Sequence, residues 1–126
     1  MSPADVRARA DAAAKFDDVA RLVDGEDGGY RKVTAALAVL AGIAAADAMS
    51  GSVLGHCSRG QDHRQAVDLL RSVRGASDAA AALGRLLDLK DSSHYGPDAT
   101  SADAVTKALN ASKTMLDRMH EVLARP

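Results

Sequence analysis

Apolar residues along this chain recur at helical spacing, and no segment alternates as a strand would. Val6, Ala10, Ala13, Phe16, Val19, Ala20 and Val23 repeat every three to four residues, the interval that lines one face of a helix. Ser2 before Pro3 supplies a cap and a first-turn proline, so a first helix is expected over about 3 to 24. Asp24-Gly25-Glu26-Asp27-Gly28-Gly29 is a polar, glycine-rich turn that lets the next helix fold back. A second helix over about 30 to 54 contains ALAVLAGIAAADAM, apolar nearly all round, as expected of a helix contacted on several sides.

Ser58 and Gln61 have capping-box spacing, and Ala66, Val67, Leu69, Leu70 and Val73 form the stripe of a third helix over about 61 to 74. Gly75 ends it, and Ser77 is placed to cap a fourth helix carrying Leu83, Leu86, Leu87 and Leu89 as far as Lys90. The loop DSSHYGPDATS contains Gly96-Pro97, which a helix does not cross, and Thr100 with Asp103 again has capping-box spacing. The last helix, about 101 to 124, has the clearest amphipathic stripe: Val105, Ala108, Leu109, Met115, Leu116, Met119, Val122 and Leu123. The pattern predicts an all-α fold, an up-down bundle of four main helices with the fourth in order as an extra or interrupted element.

Length and composition sharpen this picture. A chain of 126 residues fits a single domain over 1–126 and is long enough to bury one core. Aromatic residues are only 2% of the chain, while alanine supplies roughly a fifth against a far lower average use. Helices faced with such small side chains pack closely, and the stacking platforms of RRM and OB-fold single-strand binders have almost no material. Net charge is −1, so any contact with RNA has to be local. Cys57 has no partner for an internal disulfide, and MSPADVRARADAAAKF lacks an apolar leader, which together predict a cytoplasmic protein. The uncharged stretch from Val33 to Ala46 ends at Asp47 and is shorter than the roughly 20 residues of a membrane span, so no membrane contact is expected.

Two segments carry a resemblance. HYGPDATSADAVTKALNASKTMLDRMHEVL resembles the closing segment of HEPN domains, and the polar knot SRGQDHR lies where that family carries its Arg and His motif. The order of elements over about 30–124 fits both placements. The resemblance implies a HEPN-like homodimer, and in catalytic members an Arg, four to six residues and a His meet across the dimer to cleave RNA without a metal. Here Gly60, Gln61 and Asp62 alone separate Arg59 from His63, and Arg64 holds the next position. Two function classes follow: an RNA-processing or RNA-binding protein of toxin or defence type, with RNA and a cognate antitoxin as partners, or a non-catalytic dimerisation or protein-interaction module.

The chemistry of the knot fits the first class, the alternative being a solvated cap or a salt-bridged interface at a helix start. Cleavage of RNA by its own 2′-hydroxyl needs a group that moves a proton near neutral pH and a cation beside the phosphorane, roles suited to His63 and Arg59. With Arg64, Asp47 is a candidate at the substrate site, orienting Arg59 or His63 if it points toward the knot; the alternative is a helix-end carboxylate facing water. Tyr95 is a further candidate contact, with packing over a helix end as the alternative. Because His56, Cys57 and His63 match no zinc spacing, neither a metal nor a cofactor is expected. Small residues at Ala38, Gly42, Ala46, Gly51 and Gly55 are expected to let a second copy approach the second helix closely.

Overall fold

The computed structural model describes residues 1–25, 27–59, 63–93 and 100–126. Every regular element among them is helical: α1 (Pro3–Val23), α2 (Arg31–Leu54), α3 (His63–Arg71), α4 (Ser77–Ser93) and α5 (Ala102–Leu123). A single 3₁₀ turn, Gly28–Tyr30, precedes α2, within the glycine-rich segment expected to lie outside helices.

The helix ends show why the chain breaks where it does. Ser2 Oγ accepts from the Asp5 N–H while the Asp5 carboxylate accepts from the Ser2 N–H, so two N-terminal donors are satisfied reciprocally and Pro3 gives up none that the helix needs. Gly55 closes α2 with φ +81°, its N–H donating to Gly51 O. Gly75, at φ +76°, separates α3 from α4. Both glycines occupy the left-handed region that side chains disfavour.

Several boundaries differ from the sequence expectation. Ser77 is the first helical residue of α4 rather than a cap ahead of it, the Ala80 N–H donating to Ala76 O. The helix runs past Lys90 to Ser93. At α5 the cap is Ser101 and not Thr100: Ser101 Oγ accepts from the Ala104 N–H. The extra element is also reassigned, because α3 has 9 residues and α4 has 17. The third stripe stops at Arg71, and Ser72 and Val73 continue as turns that donate to Leu69 O and Leu70 O. Gln61 lies outside the described residues, so the capping box expected with Ser58 does too.

The core is built around α2. It packs most extensively on α1 and α5, then on α4 and α3, and Ala38, Ala41, Ala44, Ala45, Ala46, Ala48 and Met49 are buried along it. Gly42 shows how close the approach is: a Cβ there would lie 2.5 Å from Leu86 Cδ1 on α4 and 3.8 Å from Met115 Cγ on α5. The same construction at Gly51 runs into Met1 and Val6. The small-residue stripe of α2 is therefore used inside the chain, which withdraws it as a reason for a second copy to dock. By length and apolarity the segment Gly28–Leu54 is the one described helix able to cross a membrane, yet most of it is buried against its neighbours.

Polar ties sit at the seams. Ser112, fully buried on α5, donates to Asp17 Oδ1 at 2.7 Å, and Asp17 also pairs with Arg21, whose Nη2 donates to Leu109 O. Arg118 on α5 grips Asp78 on α4 through two bonds of 3.1 and 3.0 Å. No buried side-chain polar atom among the described residues lacks a partner, as a close-packed helical interior requires. The α5 stripe is buried as its spacing predicts, whereas Val19 of the α1 stripe turns outward.

Candidate functional site

Asp47 is the one acidic residue of α2, and the packing of α1 decides its role. Arg9 Nη2 reaches across from α1 and donates to Asp47 Oδ2 at 2.8 Å, with the Asp47 side chain 14% exposed and Arg9 39%. Burial pushes the Asp47 carboxyl above its ordinary value, and Arg9 and, more weakly, His63 pull it back. Of the two readings of Asp47, the outward-facing carboxylate is thus set aside. The residue that holds it is Arg9, which the sequence reasoning did not single out. The only signal was the charge itself, since a carboxylate on an apolar helix needs a counterion.

The chain leaves α2 at Gly55 and passes Cys57 and Arg59 before α3 begins at His63. Cys57 is half-buried beside Asp47, and burial first and Asp47 second push its thiol up, against Arg9 and Arg59. A thiol held protonated in this way is a poor nucleophile. Arg59 is exposed and half-buried His63 stands within electrostatic reach of Asp47. Arg9 thus contacts Asp47; Cys57 and His63 lie within electrostatic reach of Asp47, and Arg59 stands near Cys57, all toward the C-terminal half of α2. Among the described residues no group of three or more His, Cys, Asp and Glu side chains converges as a metal-ligand set.

Arg64 goes elsewhere. Its guanidinium is bound to Asp88 at 2.7 Å and Asp91 at 3.1 Å, both on α4. These exposed pairs are worth little in stability, but they turn Arg64 toward α4. Tyr95, with His94, lies outside the described residues.

A second feature adjoins the cluster. An open cleft of about 360 Å³ is walled by Ala35, Ala36, Val39, Leu40 and Ile43 of α2, Leu89 of α4 and Ala104 of α5. His63, Lys32, Lys90 and Thr100 supply the polar lining. The four basic residues of the knot region are accordingly divided: His63 and Lys90 share this cleft, Arg59 stands beside Cys57, and Arg64 is held by α4 carboxylates. Nothing in the spacing of the sequence announced the cleft, because its lining is drawn from α2, α3, α4 and α5, far apart along the chain.

No family model matches the chain, and neither curated proteins nor solved structures give a match.

Proposed function

We propose that this chain is a HEPN-like helical protein that acts on RNA as a homodimer, without a metal or cofactor, through Arg59 and His63. The observation that supports the reading is His63 standing within electrostatic reach of Asp47, itself anchored by Arg9, with exposed Arg59 near Cys57 on the segment that leads to it. An imidazole is suited to taking up and giving back a proton, and a guanidinium supplies a planar fork for phosphate oxygens. His63 would accept the 2′-hydroxyl proton as that oxygen attacks the adjacent phosphorus and Arg59 neutralises the phosphorane. As the P–O5′ bond breaks, the leaving oxygen takes a proton from a second acid, the imidazole of the other copy. Toxin-type biology, with an antitoxin as partner, belongs to this reading.

The test is incubation of purified protein with assorted RNAs, with and without chelator. Cleavage should persist in chelator, disappear in His63→Ala and fail in Arg59→Lys, with both variants keeping their helical circular dichroism. The competing reading is a non-catalytic dimerisation or protein-interaction module. It is favoured by the apolar cleft and by Val33 and Leu40, half-exposed along the same helix. If the protein neither cuts nor binds RNA, that reading replaces the first.

A further inference from the structure

The cleft between α2, α4 and α5 has a chemistry of its own. Its walls are aliphatic, built from Ala35, Ala36, Val39, Leu40, Ile43 and Leu89. Its polar lining consists of Lys32, Lys90, His63 and the Thr100 hydroxyl, and no acidic residue is among the described lining. At 360 Å³ it falls at the small end of ligand sites, about 300–1,000 Å³. A site of that size takes a medium-length aliphatic chain rather than a long one.

We infer that this cleft binds a medium-chain aliphatic carboxylate, its chain along Val39, Ile43 and Leu89 and its head at the lysine-bearing rim. Charge complementarity selects the head, because the polar groups among the described lining are cationic or neutral and a carboxylate accepts hydrogen bonds from all of them. The walls select the tail. No Phe, Tyr or Trp is among the described lining, so a nucleobase finds no broad stacking face there. A straight chain requires only apolar contact, which aliphatic walls provide. The inference is independent of the RNA reading: it uses His63 as a lining residue only and does not involve Arg59.

The experiment is calorimetric titration of the full chain with sodium decanoate below its micelle concentration. Octanoate, decyltrimethylammonium and phosphatidylglycerol vesicles run in parallel, with sedimentation on each sample. Binding should saturate at one decanoate per chain, with each methylene between octanoate and decanoate strengthening it about fourfold. Ala36→Phe, which places a ring in the cleft from an exposed helix position, should weaken it by about tenfold or more while circular dichroism stays unchanged. Lys32→Glu should weaken decanoate and not the cationic amphiphile. Equal affinity for both amphiphiles would overturn the inference, as would decanoate binding indifferent to Ala36→Phe. Absence of saturable decanoate binding also overturns it, whether the protein then binds only vesicles or sediments as a dimer that Ala36→Phe dissociates.

Discussion

Asp47 and Ser112 are both polar groups set in apolar surroundings, yet they bear on stability with opposite sign. Ser112 donates its hydroxyl proton to Asp17 from a fully buried position, so Ser112→Ala leaves a carboxylate short of a donor. It should cost about 1.5 kcal/mol by urea unfolding. Asp47 is the reverse case. Burial raises its folded pKa above the ordinary 3.8, so between those two values the folded state holds more protons than the unfolded one. Its stability contribution is then full below the unfolded value and declines as pH rises through the folded value. Asp47→Asn should consequently gain on the wild type between pH 3.5 and neutrality, by about 1 kcal/mol or less. A gap that moves the other way in urea melts at the two pH values would refute this account of the site. His63, half-buried at the cleft wall, should tolerate replacement by Ala for about 0.5 kcal/mol. Loss of RNA cleavage in that variant would then reflect chemistry rather than unfolding.

Among the elements, α2 carries a tight constraint at Gly42. A residue with a branched Cβ there meets the end of the Leu86 side chain, which is itself fully buried and has to shift within the core. Gly42→Val should destabilise by about 2 kcal/mol despite valine's better helix propensity, a drop in Tm of roughly 8 °C. An unchanged melting temperature would mean that α4 is free to shift. Much of the helical layout was legible in the sequence because its signals are local: Ser2-Pro3, Gly75 and the α5 stripe act through neighbours on the same turn. The errors came where one signal had two equal solutions. Ser101 and Thr100 are both hydroxyls ahead of α5, and only the backbone selects between them. The small stripe of α2 fits a helix of its own chain as well as one from another copy. The Arg9–Asp47 pair spans 38 positions and depends on how α1 is rotated against α2, which no local pattern encodes.

For the molecule as a whole, the Asp78–Arg118 clasp ties α4 to α5 near one end. The Arg118 hydrogen bonds lower the Asp78 pKa chiefly, so the contribution is present above the unfolded carboxylate value and is lost as acid protonates it. Both partners are partly exposed, and Asp78→Asn should cost only about 0.5 kcal/mol at neutral pH, vanishing below pH 3. The alanine lining of α2 has a larger consequence for how the protein responds to heat and cold. An interior floored by methyl groups uncovers less hydrocarbon per residue when it opens than one filled with leucine and phenylalanine. The heat-capacity increment of unfolding and the urea m-value should therefore both fall below those usual for a chain of this length. A smaller increment flattens the dome of free energy against temperature. The fold would then keep a modest but nearly constant margin over a wide thermal range, and cold denaturation would be displaced to lower temperatures than an ordinary bundle shows.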